Sequence, residues 1–273
     1  MEKDCTNRSQ MSKGIAAMPD RRSHRGADPR DASLFAPEAI PALREAVADL
    51  AWLFGRGYAE ASSLKLVGDR HRLPDRSRKA VLRSACSDAQ RADRLSRRLD
   101  LDAIAGRSLR IDGFNVLTTI EAALGGAPLL LGRDGSLRDL AGVHGTYRRV
   151  EETRPAIALI GEALADWRVG PSLWLLDRPV SNSGRLAAIL REVASDRGWP
   201  WEVELPFNPD AELIAGPAEV VVASADSEVL DHCAQWFPMA RLVVERAVPG
   251  AWVVDLSEPP RVGPGVAEEP SGQ

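Results

Sequence analysis

The period of the hydrophobic pattern changes at Arg107, and no other feature narrows the choice of fold as much. Ahead of that point, Ile40, Leu43, Val47, Leu50, Leu53 and Phe54 recur at three- and four-residue steps, the spacing of an amphipathic helix against a core. Beyond it, short strand-like stretches at 109–111, 173–176 and 219–223, and an alternating one at 201–205, are separated by segments of helical periodicity. Strands alternating with helices predict a parallel sheet of the doubly wound type. The expected class is α/β, with a small all-α region leading into a parallel-sheet domain.

Punctuation residues set the boundaries. Residues 1–33 are rich in Arg, Asp, Ser and Gly without apolar periodicity, and are expected to form a disordered tail. Within it, Arg21, Arg22 and Arg25 offer positive charge to nucleic acid. Residues 34–106 are expected to be a small basic helical domain. Pro37 and Glu38 open its first helix, Gly55-Arg56-Gly57 closes it, and Gly68 stops a second helix over 60–67. Pro74-Asp75 and Ser87-Asp88 open two more, around 77–84 and 89–99. Helix, Gly-containing turn and helix also match the loose outline of a helix-turn-helix. Residues 107–257 are the expected α/β domain, with helices over 115–124, 146–165, 185–196 and 228–236, and further strands at 129–131, 240–244 and 252–254. Residues 258–273, rich in Pro, Gly and Glu, are expected to be a second disordered tail.

The net charge of -4 conceals an asymmetry. Residues 34–106 carry 13 basic against 10 acidic side chains, residues 107–273 carry 15 against 24, and the stretch 65–98 carries 11 against 4. One face of the helical part is therefore suited to a polyanion, and the acidic part to cations. The plain alternative for the basic run is a solvated helix face. No apolar run approaches the roughly 18 residues of a membrane span, so no membrane partner is expected. Cys5, Cys86 and Cys233 are odd in number and far apart, which gives neither a disulfide framework nor a metal knuckle, and the reducing cytoplasm is the expected compartment. Phosphate-binding P-loops, dinucleotide fingerprints, nucleophile elbows and zinc-protease helices are all absent from the sequence.

Three of the predicted strands finish on an aspartate: Asp112, Asp177 and Asp226. In a parallel sheet their ends share one edge, where sites in such folds lie. Carboxylates brought together repel unless they hold a hard cation such as Mg²⁺, which activates water and polarises phosphate. Glu121, Asp134 and Asp139 are candidates for a further ligand. The structural alternative is that each aspartate caps the next helix or closes a turn. Gly113 removes bulk beside Asp112, and Asn115 either orients Asp112, contacts substrate or caps the helix. Ser181 and Ser183, in the turn Ser181-Asn182-Ser183-Gly184 at a helix start, suit a phosphate but are also ordinary turn chemistry. His144 reads as structural. The seven tryptophans read mostly as core, with Trp199 and Trp201 available to stack on bases where exposed.

Asp112-Gly113-Phe114-Asn115-Val116 resembles the Asp-Gly-Tyr-Asn signature of NYN domains in the PIN-like nuclease superfamily, and Ser224-Ala225-Asp226-Ser227 resembles its later Ser-Asp element. The segment from Gly57 to Arg70 resembles the helical module known as domain of unknown function 434, which in that family precedes a PIN-like domain. The segments 112–117, 129–135, 138–139, 177–184 and 224–227 resemble that domain's successive elements, with Ala225 a departure in the last. The resemblance covers residues 36–257. It implies a PIN-like fold in which Asp112, Asp177 and Asp226 hold Mg²⁺ or Mn²⁺ for phosphodiester hydrolysis, with a fourth acid that the sequence does not place.

The leading expectation is a metal-dependent, ribonuclease-like protein whose helical module grips nucleic acid, RNA foremost, through Arg70, Arg72, Arg76, Arg78, Lys79 and Arg83. A non-catalytic nucleic-acid-binding or regulatory module of the same fold is the alternative, followed by a small-molecule phosphate enzyme using Ser181 and Ser183. The sequence is also compatible with a homo-oligomer.

Overall fold

The computed structural model describes residues 24–141 and 147–257. Residues 1–23, with Arg21 and Arg22, His144 and the expected tail at 258–273 lie outside the described residues. The described elements are helices α1 (Asp31–Leu34), α2 (Ile40–Gly55), α3 (Glu60–Arg70), α4 (Asp75–Ser84) and α5 (Asp88–Ser96), then a 3-10 turn (Leu101–Ala103), β1 (Leu109–Asp112), α6 (Gly113–Leu124), β2 (Leu129–Leu131), β3 (Leu137–Arg138), α7 (Thr153–Asp166), β4 (Ser172–Leu175), α8 (Ser183–Arg197), β5 (Trp201–Glu204), α9 (Pro209–Ile214), β6 (Val221–Ala223), α10 (Ser227–His232), α11 (Met239–Ala247) and β7 (Val253–Asp255). This is the helical region followed by an α/β region that the hydrophobic period predicts. Local chemistry explains the helix starts: Ser87 and Gln90 close a reciprocal capping box at α5, and Asn208 with Pro209 starts α9.

The main sheet has the order β5-β4-β1-β6, with every neighbouring pair parallel. The chain enters at β1, steps outward through β4 to β5, then returns to place β6 on the other side of β1. Strand order therefore reverses between β1 and β6, and crevices form at the carboxyl ends of strands where such a reversal occurs. Ile111, Trp174, Leu117 and Ile160 are among the residues fully buried in the core around this sheet.

A second sheet, β3-β2-β7, pairs β2 parallel to β7 and antiparallel to β3. It is joined to the helical region by one core, in which Leu43, Val47, Leu50 and Val81 pack with Leu130, Leu140, Val254 and Leu256. Hydrophobic packing therefore crosses the boundary expected at 106.

Three expectations are corrected. Residues 240–244, expected as a strand, lie in helix α11, where Met239, Ala240, Val243 and Val244 are buried at helical spacing and Arg241 pairs with Glu245 one turn on. A five-residue apolar run does not by itself separate strand from buried helix. The helix expected over 146–165 begins only at Thr153. The described part of the expected tail is bonded into the fold: Arg25 Nε donates to the buried Glu121 at 2.6 Å, and Asp31, fully buried, pairs with Arg76. No helix of the described residues is long and apolar enough to cross a membrane.

Candidate functional site

Asp112 ends the central strand β1 and is 4% exposed. Its Oδ2 accepts from Asn115 Nδ2 at 2.6 Å and from Ser224 Oγ at 2.7 Å, and its Oδ1 accepts a long bond from the Asn115 N–H at 3.4 Å. Asn115 thus orients Asp112 as well as completing a helix cap. Gly113 is required by the neighbouring strand, because a Cβ there would stand 2.5 Å from Leu176 Cδ2 and 3.0 Å from the Leu175 carbonyl oxygen. The expected close approach is made by β4 and the residue after it.

Asp226 follows β6 across the reversal point. Its Oδ1 caps α10 by accepting from the N–H groups of Glu228 (2.9 Å) and Val229 (3.2 Å). Among the described residues its Oδ2 accepts no hydrogen bond. Ser224 Oγ accepts from the Asp226 N–H at 3.0 Å while donating to Asp112, so one hydroxyl ties the ends of β1 and β6 together. Asp177, half-buried after β4, is the third expected acid.

A fourth carboxylate joins these three, and sequence reasoning missed it. Asp210 stands in the first turn of α9. Burial, then the charges of Asp226, Asp177 and Glu228, push its pKa up to about 6. Burial pushes Asp112 up to about 7 against the hydrogen bonds from Ser224 and Asn115, with Asp210 and Asp226 adding to the rise. Asp177 is raised by burial. The carboxylates therefore share one electrostatic environment at the sheet edge. None of the four makes an ion pair with an arginine or lysine among the described residues.

The other buried acids behave differently. Asp31 pairs with Arg76, Glu121 with Arg25, Asp134 with both Arg94 and Arg138, and Asp139 lies 3.8 Å from Arg83. Glu121 also accepts from Tyr147 Oη and Thr153 Oγ1. Glu121, Asp134 and Asp139, expected as further ligands, are thus neutralised by arginines, and Asp210 is the fourth acid of the edge. Its segment carried a usable signal, since Asn208-Pro209-Asp210 is a helix start.

Between the helical region and the sheet edge lies a cleft of about 410 Å³, whose lining includes Arg83, Arg94, Arg138, Asn115, Asp226 and Glu228. Of the six basic residues expected to grip nucleic acid, only Arg83 lines it. Arg76 is held by Asp31, and Arg78 donates to the Leu73 carbonyl and to Asp69. Arg70, largely exposed, is 3.3 Å from Asp49, Arg72 is exposed in a left-handed conformation, and Lys79 donates to the Ala141 carbonyl. Arg94 and Arg138 were not singled out from the sequence. Both are fixed on Asp134, and Arg138 Nε also donates to the Ala225 carbonyl.

The turn after β4 holds itself. The Ser183 hydroxyl donates to the carbonyls of Asp177 and Val180 and is buried, so it serves the turn and not a ligand. Ser181 is exposed, and its carbonyl accepts from the Tyr147 N–H. Trp199 and Trp201 belong to a tryptophan cluster, with ring centroids 4.8 Å apart and Trp174 another 5.0 Å from Trp201, and Trp199 packs on Gly161.

The edge offers carboxylate oxygens, the donors that hard cations take, with no ion-paired arginine or lysine among the described residues. As they stand, however, no three or more Asp, Glu, His or Cys side chains among the described residues converge closely enough to hold an ion.

Comparison with known proteins divides the chain between residues 97 and 101, a few residues ahead of the change in hydrophobic period at Arg107. Residues 42–97 match the family described as "Protein of unknown function (DUF434)", and residues 101–242 match "Domain of unknown function (DUF5616)". An uncharacterised protein of Methanocaldococcus jannaschii is 31% identical over 188 residues, covering 69% of this chain and 88% of that protein. No solved structure matches. The chain therefore belongs to the DUF434 family, its helical module carried ahead of a DUF5616 domain.

Proposed function

We propose that the carboxyl edge of the main sheet is a Mg²⁺- or Mn²⁺-dependent centre for phosphodiester hydrolysis in nucleic acid, RNA foremost, on a PIN-like domain. One observation carries the proposal: Asp112, Asp177, Asp210 and Asp226 stand along the carboxyl edge of the main sheet with no arginine or lysine ion-paired to them among the described residues, whereas Asp31, Glu121, Asp134 and Asp139 each face an arginine. The likeness of segments 112–116 and 224–227 to NYN signatures supports the same reading.

Asp112, Asp177, Asp210 and Asp226 would hold the cation, which when bound polarises a phosphate and activates a water. Asn115 and Ser224 fix the Asp112 carboxylate. Asp226 caps α10 through one oxygen and leaves the other available. Arg83 lines the adjoining cleft at the longer distance of 3.8 Å from Asp139, and adds positive charge there for a phosphate oxygen.

A second reading has its own support. The carboxylates do not converge as they stand, which fits a nucleic-acid-binding module without catalysis. The test is cleavage of mixed single-stranded RNA in Mn²⁺ by the wild-type protein and by Asp112→Asn, beside calorimetric Mn²⁺ titration of both. Wild-type cleavage and Mn²⁺ binding, both lost in Asp112→Asn, are expected. Equal cleavage by the two proteins, or none by either, removes the hydrolytic proposal, and RNA retention without cleavage leaves the binding module.

A further inference from the structure

Read along the carboxyl edge of the main sheet, the strand order β5-β4-β1-β6 places in succession Phe207, Asp177 with Arg178, Asp112, and Ser224 to Asp226. At about 4.8 Å per strand, this row is on the order of 14 Å long. Its Asp226 end opens into the cleft lined by Arg83. Its other end carries an exposed aromatic ring.

That ring is unusual in this molecule. Phe207 is 72% exposed, the most exposed large apolar side chain among the described residues. The Arg178 guanidinium lies over it, 4.8 Å from the ring centroid. A lone exposed phenylalanine is ordinary on a protein surface, but this one sits in a pinned loop. The Arg178 N–H donates to the Pro206 carbonyl and Arg178 Nε to the Leu205 carbonyl, both at 2.9 Å. On the far side of the ring, Asn208 Oδ1 accepts from the Ala211 N–H at 3.1 Å. The loop thus joins β5 to the helix that carries Asp210, and Arg178 is the residue after Asp177. The aromatic ring, the guanidinium and two of the four carboxylates are held by the same two turns.

We propose that Phe207, with Arg178 stacked on it, is a nucleobase-stacking platform, and that the ligand of this edge is a single-stranded nucleic acid. The proposal rests on the nucleic-acid reading above and names the form of its ligand. A base in a duplex is already stacked and has no face to offer, whereas an unpaired base stacks on an aromatic ring whatever its identity. Arg178 serves the same contact twice, by cation–π attraction to the ring and by its charge toward the adjacent phosphate. A strand held by Phe207 at one end and near Arg83 at the other passes over the carboxylates.

The test measures fluorescence anisotropy of labelled 12-nucleotide oligo(U), oligo(dT) and a blunt duplex, in EDTA so that nothing is cleaved. The proteins are wild type, Phe207→Ala, Phe207→Leu and Phe207→Trp, each first shown to melt like wild type. The proposal expects tighter wild-type binding to at least one single strand than to the duplex. It expects binding about 5- to 150-fold weaker for Phe207→Ala. Phe207→Leu should be weakened too, since it keeps apolar bulk without a π face, and Phe207→Trp should bind as well as wild type. Wild-type affinity in the alanine and leucine variants overturns the proposal, as does equal or greater affinity for the duplex, or no binding of any probe. Failure of the hydrolytic reading looks different: the Phe207 pattern holds in EDTA while Mn²⁺ yields no cleavage.

Discussion

Ser224 Oγ donates to Asp112 Oδ2 at 2.7 Å while accepting from the Asp226 N–H at 3.0 Å, so a single hydroxyl couples the two strand ends that flank the reversal of the sheet. Replacing Ser224 with alanine leaves both partners without it. A buried group that loses its hydrogen bond costs about 1–3 kcal/mol, and Ser224→Ala is expected to lower unfolding free energy by that amount in a urea titration. The pKa of Asp112 should rise further, because a donor that stabilises its charged form is gone.

The pH dependence follows from Asp112 and Asp210, held at about 7 and about 6. Each carboxyl binds its proton more tightly in the folded chain than in the unfolded one. The stability this contributes is full below the ordinary carboxylate range and is lost as pH rises through about 6 to 7. Thermal melting in EDTA should therefore weaken between pH 5 and pH 8. Asp112→Asn should flatten that slope and be more stable than wild type at pH 8, by on the order of 2–4 kcal/mol. Parallel wild-type and variant curves would contradict it.

Cation binding should reverse the penalty at high pH. At pH 8, millimolar Mn²⁺ is expected to raise the melting temperature of the wild-type protein, since a ligand of the folded state stabilises it by mass action. Asp112→Asn and Asp210→Asn should show much smaller shifts. An Mn²⁺ effect unchanged in both would place the ion elsewhere.

The pair Arg94 and Asp134, 2.7 Å apart and both about 1% exposed, is expected to be structural. Removing one partner of a buried pair typically costs about 3–5 kcal/mol. Arg94→Met should destabilise the protein by roughly that amount in denaturant, even though Arg138 remains beside Asp134.

Much of the site was legible because its signals are local. A strand that ends on Asp112 before Gly113 and Asn115, and another that leads into Ser224 and Asp226, show in the apolar pattern and the turn residues. Asp210 was not found, since it stands in a short helix start beyond the loop that follows β5, and not directly on a strand end. The basic run at 65–98 misled for a different reason. Whether Arg76 and Arg78 face a ligand depends on Asp31 and Asp69, and the Asp31 partner is 45 residues away from Arg76. Phe207 carried no signal, because exposure of one aromatic is a tertiary outcome. The strand expected at 240–244 failed where a short apolar run fits either period.

The core that Leu43, Val47, Leu50 and Val81 share with Val254 and Leu256 has a consequence for how the protein is made. Chains leave the ribosome N-terminus first, and domains ordinarily fold in that order. Here the helices emerge early but lack the strand that closes their core until residues 253–256 have been synthesised. Part of that core stays uncovered until the last strand arrives, and a nascent chain halted before β7 is expected to show apolar helix faces to chaperones.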